Sequence, residues 1–305
     1  MQKIIASNCA GTFSGFLLQL SWMHHEEYEK SLEVILHSSN KTYFQGNSLS
    51  NYTSLKPDSP MLKHELHKPN ILLEVFLQNQ YLNWNVPSNF IYVENYPVEF
   101  RDLLTQYEID QIPYHGRGGF TGLYRDPKKI LNARTKLGRQ FSKFQLRPEI
   151  EKEITEEATC LENKKTLGIM LRYSNHYIQQ RRFRKVNILK SAISAIEENI
   201  DYYDQIMVFT IVQPFLDVII KKFGSKKVVF PNRERLGIDT DWGGSENTVE
   251  MSNLEYSIEY RNAFIDVYLA SMTQKLLGGS SNMFLGALSL NPTLPFELFI
   301  KLDGK

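Results

Sequence analysis

The stretch Thr166-Leu-Gly-Ile-Met-Leu-Arg172 is the segment from which the fold can be argued. A short apolar run that ends at a charged residue is typical of a buried strand in a parallel sheet. Apolar residues then recur at spacings of three and four from Val186 to Ile200, which predicts an amphipathic helix. A strand followed by a helix therefore opens the C-terminal half of the chain.

The same alternation continues to residue 290. Further strands are predicted at Gln205–Ile211, Lys227–Phe230 and Lys275–Leu277, and further helices at Pro214–Phe223, Arg261–Met272 and Ser281–Leu290. Strands that alternate with helices predict a parallel sheet with right-handed crossovers. Ligands of such sheets bind at the carboxyl ends of the strands. We therefore expect Arg172 and the residues from Gly278 to Asn282 to lie where a nucleotide would bind.

The N-terminal half begins with a strand, a loop of small residues and a helix. Lys3–Ser7 is the predicted strand and Phe16–Tyr28 the predicted helix. The loop between them allows a ligand to approach the backbone, and the helix N-terminus favours an anion. Asn8, Gly11 and Thr12 are the candidate ligand residues there. The alternative is that these residues only begin a helix.

The remainder of this half also predicts an α/β domain. Leu32–His37 and Phe90–Glu94 are the next predicted strands, and Ile71–Gln78 is a predicted helix between them. Helix formers are dense from Pro127 to Glu157, where Pro148 can begin a second helix. A chain of 305 residues suits two domains. We place them at residues 1–150, an N-terminal α/β domain, and 151–305, a Rossmann-like domain.

Composition excludes several classes of function. The formal net charge of +1 gives no field that would bind a polyanion, so nucleic acid is excluded as a partner. Cys9 and Cys160 are far apart and form no metal-binding spacing. The N-terminus does not resemble a signal peptide, and no apolar run is long enough to cross a bilayer. We therefore expect a cytoplasmic protein without an integral membrane segment.

Arg172 is the first candidate for chemistry. An arginine at the carboxyl end of a strand can bind a diphosphate through two oxygens and neutralise the charge that grows on a leaving nucleoside diphosphate. The alternative is an arginine that only pairs with an Asp or Glu.

The segment Leu276-Leu-Gly278-Gly-Ser-Ser-Asn282 is the second candidate. A strand that ends in two glycines and turns into a helix brings hydroxyls and N–H groups to one point, which suits phosphate or ribose. Gly279, Ser280, Ser281 and Asn282 are the predicted ligand residues. Ser280 or Ser281 could instead only cap the helix, and capping and anion binding use the same geometry.

These segments together resemble a known family. The strand ending at Arg172, the strand Val208-Phe-Thr210, the helix from Asp266 to Ser271 and the Gly-Gly-Ser-Ser-Asn turn are similar to the C-terminal half of GDP-fucose-dependent fucosyltransferases of GT-B fold. That group includes the nodulation-type α-1,6-, the α-1,2- and the protein O-fucosyltransferases. The chain departs from the group at Met170, where a histidine is usual, and at Gln213, where an acidic residue is common.

The resemblance implies an α/β, GT-B-like fold with two Rossmann-like domains and a cleft between them. It implies an inverting glycosyltransferase that needs no metal or other cofactor and moves fucose from GDP-fucose to a glycan or other hydroxyl acceptor. Arg172 would be catalytic, and Asp266 would bind the base or ribose of the donor. The alternative for Asp266 is a solvent-facing residue of a helix.

Other interpretations remain open. Asp239-Thr-Asp241 has the spacing with which other transferases bind a divalent metal, so a metal-dependent enzyme that uses another nucleotide sugar is an alternative. A nucleotide-sugar-binding protein without turnover is a third possibility. Spacing does not rank the candidates for the general base, which are Glu94, Glu99, His115 and Asp126.

Overall fold

The structure of the chain is a computed structural model. The described residues are 2–6, 12–36, 70–82, 91–93, 126–171, 188–233, 235, 253–279 and 281–299. They contain two parallel sheets with helices packed on them. The α/β class expected from the sequence is confirmed.

The smaller sheet belongs to the N-terminal half. It contains β1 (Gln2–Ala6), β2 (Leu32–Leu36) and β3 (Ile91–Val93), and α1 (Thr12–Tyr28) connects the first two strands. The strand order is β2-β1-β3, and β1 is parallel to both neighbours. The strand order therefore reverses at β1, which has β2 on one side and β3 on the other.

The larger sheet begins after two helices. These helices are α2 (Pro127–Phe141) and α3 (Pro148–Ala158). The elements that follow are β4 (Thr166–Met170), α4 (Ile188–Asn199), β5 (Gln205–Phe209), α5 (Gln213–Phe223), β6 (Val228–Val229), α6 (Asn253–Ser271), β7 (Lys275–Gly278), α7 (Asn282–Leu290) and β8 (Phe296–Leu298). All the pairs in this sheet are parallel, and the strand order is β6-β5-β4-β7-β8.

Several helix boundaries follow the rules used on the sequence. Pro148 begins α3, as expected from a residue that lacks a backbone N–H. Gly224 ends α5 at a φ of 89°, a left-handed conformation that favours glycine. Asp126 caps α2 by accepting hydrogen bonds from the N–H groups of Lys128 and Lys129. These boundaries depend on local chemistry, which explains why the sequence predicts them.

One predicted helix was wrong, one strand was not predicted, and the helix predicted at Arg261–Met272 begins earlier, at Asn253. The helix expected at Ile71–Gln78 is a single 3-10 turn, Ile71–Glu74, because the chain then pairs with the segment before α3. The N–H of Leu77 donates to Gln145 O, and the N–H of Arg147 donates to Val75 O. The strand that was not predicted is β8, the fifth strand of the larger sheet, which lies beside β7. The shortened helix and the additional strand both result from tertiary pairing.

The larger hydrophobic core joins helices from both halves of the chain. Phe16 of α1 lies between Phe141 of α2 and Phe264 of α6, with ring centroids 5.0 and 4.9 Å from its own. The helix α2 also packs closely on α7, where a Cβ at Gly138 would lie 2.1 Å from the backbone oxygen of Ser289. The helix α2 therefore packs against α1, which belongs to the smaller sheet, and against α7, which belongs to the larger sheet. The domain boundary at residue 150 stays a prediction.

Candidate active site

The order of the strands in the larger sheet defines where a ligand would bind. β4 is the first strand of this sheet in the chain and lies at its centre, with β5 and β6 on one side and β7 and β8 on the other. Open α/β sheets bind ligands at the point where the strand order reverses, outside the carboxyl ends of the strands. Here that point lies between β4 and β7, where Met170 pairs with Gly278.

The turn after β7 has a defined geometry at this point. A Cβ at Gly278 would lie 2.3 Å from the ring of Phe284, so only glycine fits against α7. The N–H of Ser281 donates to Gly279 O, and the Ser281 hydroxyl accepts from the N–H of Phe284 at 3.2 Å. Ser281 is therefore the N-cap of α7, as one of the sequence interpretations expected.

Gly279, Ser281 and Asn282 are brought together beside the end of β4. The first turn of a helix carries N–H groups that the helix itself does not satisfy, and its positive end favours an anion. The N-terminus of α7 thus lies at the reversal point with the chemistry that a phosphate requires.

Other predicted site residues lie outside the described residues. Arg172 is one of them, although the described chain continues to Leu171, whose N–H donates to Phe209 O at 2.9 Å. The other such residues are Asn8, Gly11, Ser280, Asp239, Asp241, Glu94, Glu99 and His115. Thr12 is described and is the first residue of α1, the helix that follows β1 in the chain. The ligand roles of all these residues stay predictions.

Asp266 on α6 faces a buried guanidinium. Its Oδ1 atom lies 3.6 Å from Nε of Arg233, and the two side chains are only 13% and 8% exposed. Asp266 is therefore not the solvent-facing helix residue that was the alternative at the level of sequence. Neither Oδ1 nor this Nε makes a hydrogen bond to another residue in the described part of the chain.

Arg233 links three elements of the fold. It follows β6 by four residues and donates to both carboxylate oxygens of Glu157 on α3. It also donates to Glu153, which is paired in turn with Arg261 of α6. The segment after β6 is thereby connected to α3 and α6 through one buried cation.

Arg235 lies at the carboxyl end of the sheet next to this cluster. Its guanidinium donates to the carbonyl oxygens of Thr210, Pro231 and Arg233. It also stands over the ring of Phe230, 4.9 Å from the centroid. Because Thr210 directly follows β5, these bonds fix Arg235 at the same edge of the sheet as the reversal point.

Burial changes the acidity of Asp266. Loss of solvent raises the pKa of its carboxyl from 3.8 to about 7, and the positive charges of Arg233 and Arg235 oppose that rise. The negative charges of Glu157 and Glu153 add to it. A buried carboxyl with a perturbed pKa beside guanidinium groups is a feature that functional sites often share.

Reasoning on the sequence missed Arg233 and Arg235. The signal was present, since Pro231-Asn-Arg233-Glu-Arg235 directly follows the strand at Lys227–Phe230. The rule applied to Arg172, that an arginine after a strand points to the ligand edge, also selects these two residues. Asp126, one of the candidates for the general base, caps α2, and this gives it a structural role.

The described residues also bear on membrane insertion and on metal binding. No described helix is both long and apolar enough to cross a membrane. No group of three or more His, Cys, Asp or Glu side chains in the described ranges could bind a metal ion.

Comparison with known proteins gives a match at the level of structure only. No protein-family model matches the sequence, and a search of curated proteins also found no match. The structure of the fucosyltransferase NodZ from Bradyrhizobium matches with a TM-score of 0.54 at 11% identity, over 99% of this chain and 97% of that one. This chain therefore has the fold of NodZ.

Two further solved structures agree with this match. NodZ α-1,6-fucosyltransferase soaked with GDP-fucose matches with a TM-score of 0.52 at 11% identity, over 95% of this chain and 92% of that one. The same enzyme co-crystallised with GDP gives a TM-score of 0.52 at 11% identity, over 94% and 91% of the two chains. The GT-B-like fold implied by the sequence resemblance is confirmed across nearly the whole chain, although the residues that carried it covered mainly the C-terminal half.

Proposed function

We propose that this chain is a glycosyltransferase that moves fucose from GDP-fucose to a glycan or other hydroxyl acceptor. Its neighbours in structure are α-1,6-fucosyltransferases, two of them prepared with GDP-fucose or GDP. A fold can serve many functions, so the proposal also needs a site. The observation that carries it is the N-terminus of α7 beside the end of β4, at the reversal point of a sheet with this fold.

The proposed reaction is an inverting displacement. The acceptor oxygen attacks the anomeric carbon of fucose, the bond from that carbon to the diphosphate breaks, and GDP leaves with the bonding electrons. A general base takes the acceptor proton. Negative charge therefore grows on the leaving phosphate oxygen during the step.

Each site residue has a role in this scheme. Arg172, two residues after β4, neutralises the leaving diphosphate. The N-terminus of α7, with Gly279, Ser280, Ser281 and Asn282, binds phosphate or ribose. Asp266 accepts a hydrogen bond from the base or ribose, and we expect Asn8, Gly11 and Thr12 to contribute ligand contacts from the N-terminal half. The reaction needs no metal, because guanidinium and helix N–H groups supply the positive charge.

The alternatives make different predictions about metal and turnover. An enzyme that uses another nucleotide sugar with a metal at Asp239 and Asp241 would lose transfer in the presence of a chelator. A binding protein without turnover would bind nucleotide but release no sugar. The cytoplasmic location and the exclusion of nucleic acid as a partner stay predictions.

One assay distinguishes the proposed function from these two alternatives. The purified chain is incubated with a panel of GDP- and UDP-sugars, with and without EDTA, and released nucleotide is measured alongside thermal shifts in GDP, UDP and ADP. The proposal expects turnover with GDP-fucose that survives EDTA, and the largest thermal shift with GDP. A clear preference for UDP would overturn the donor assignment but not the fold.

A further inference from the structure

We propose that Arg233 is a positioning residue that favours the ionised form of Asp266, the hydrogen-bond acceptor for the donor nucleotide, so that donor binding depends on pH. This inference rests on the proposed function, because it assigns a control to the donor site. Arg233 itself is directed toward Glu157, Glu153 and Asp266 and would not touch the donor.

The geometry around Arg233 distinguishes its partners. The terminal nitrogens of its guanidinium are engaged by Glu157 and Glu153, which fixes the plane of the group. Only Nε remains toward Asp266, at 3.6 Å from Oδ1, which is beyond hydrogen-bond distance. The positive charge therefore acts on the carboxylate while Oδ1 keeps its lone pairs.

A carboxylate in this state suits a donor ligand. An ionised carboxylate accepts hydrogen bonds only, and it accepts them more strongly than a neutral acid does. Oδ1 of Asp266 is buried and makes no hydrogen bond to any described residue. A buried acceptor without a partner is costly, so a ligand N–H or O–H that reached this atom would gain from satisfying it.

Charges of both signs act on Asp266. Arg233 and Arg235, from the segment after β6, favour its ionisation, and Glu157 and Glu153 of α3 oppose it. Burial opposes ionisation most strongly, and the resulting pKa is about 7. Removal of one charged neighbour therefore changes the fraction of ionised Asp266 near neutral pH.

The sign of the pH dependence follows from this balance. If the donor binds the ionised form, its affinity rises as the pH increases through about 7 and levels off above it. Loss of Arg233 raises the pKa of Asp266, so the rise in affinity moves to higher pH. Loss of Glu157 lowers that pKa, so the rise moves to lower pH.

The test measures GDP affinity by calorimetry from about pH 5.5 to about pH 9, since one pKa unit changes affinity tenfold below the midpoint. Arg233→Gln should raise the midpoint by about one unit, lower affinity near pH 7 several-fold, and recover at high pH. Arg233→Lys should keep the midpoint close to that of the wild type, because it keeps the charge. Glu157→Gln should move the midpoint in the opposite direction.

A matched control comes from the helix that carries Glu157. Glu156→Gln removes an exposed carboxylate of α3 that pairs with Lys152. It should leave the midpoint unchanged. Asp266→Asn should remove the rise itself and leave only the titration of the GDP phosphate.

The outcomes separate this inference from the function on which it rests. GDP affinity reduced equally at every pH in Arg233→Gln would overturn the positioning role and make Arg233 purely structural. The same conclusion follows if Arg233→Gln and Glu157→Gln move the midpoint in one direction. No GDP binding by the wild type at any pH would overturn the proposed function.

Discussion

Replacement of Asp266 by Asn should make the protein more stable at alkaline pH. Burial raises the pKa of this carboxyl in the folded chain to about 7, whereas an unfolded Asp titrates near 3.9. The folded state therefore binds a proton more tightly than the unfolded state. The stability contributed by the protonated form is complete below about pH 4 and is lost as the pH rises to about 7.

The size of the effect follows from the displacement of the pKa. From 3.8 to about 7 is roughly three pKa units, and each unit corresponds to about 1.4 kcal/mol, so ionised Asp266 costs at most ~4 kcal/mol. Local relaxation reduces such costs, and we expect about 2 kcal/mol to be regained in the Asn variant above neutral pH. That corresponds to a rise in Tm of about 4 to 8 °C.

The assay compares thermal and urea unfolding of both proteins at about pH 4 and about pH 8.5, the two ends of the range over which this stability is lost. Asp266→Asn should gain much more at the higher pH, because little of the loss has accumulated at the lower one. Asp201→Asn, at an exposed position after α4, is the control and should change neither value. A gain that is equal at both pH values, or no gain at the higher one, would refute the argument from burial.

The remaining predictions concern the diphosphate, the glycine turn and the metal. Arg172→Ala should lower kcat by about 10² to 10³ with a smaller effect on donor binding, because the charge it neutralises grows in the transition state, whereas full activity in a folded variant would remove it from the site. Gly278→Ala should lower the unfolding free energy by about 1 to 3 kcal/mol, measured in urea, because its Cβ would overlap the buried ring of Phe284. Replacement of both Asp239 and Asp241 by Asn should leave turnover in EDTA unchanged, and a large loss rescued by Mn²⁺ would contradict a metal-independent mechanism.

The sequence predicts the strands and helices of the larger sheet well because their signals are local. Leu167, Ile169 and Leu171 face one core of the sheet while Met170 faces the other, so all four positions must be apolar. A continuous apolar run therefore marks a strand that is buried on both faces. The strand order depends on which strands pair across the fold, as β4 does with β7, and local sequence signals do not contain that information.

The site was predictable in part for the same reason. Ser281 and the two glycines before it lie in a turn of five consecutive residues. The sequence alone therefore indicates the chemistry of that turn. Asp266 and Arg233 are distant in sequence, and only the packing of α6 beside the segment after β6 brings them together. No spacing rule connects such a pair, so the sequence indicated a role for Asp266 only through family resemblance.

The arrangement around Asp266 argues for function over structural support. A carboxylate and a guanidinium that served only to connect α6 to the segment after β6 would form a direct hydrogen-bonded pair, since that geometry offsets the cost of burying charge. Arg233 makes such a pair with Glu157 but stays 3.6 Å from Asp266. The fold therefore carries a buried acid that weakens it above neutral pH and leaves an acceptor atom unsatisfied. A group that lowers stability and lacks a hydrogen-bond partner among the described residues is typical of a binding site, and this explains why the Asn variant should be more stable and bind the donor less well.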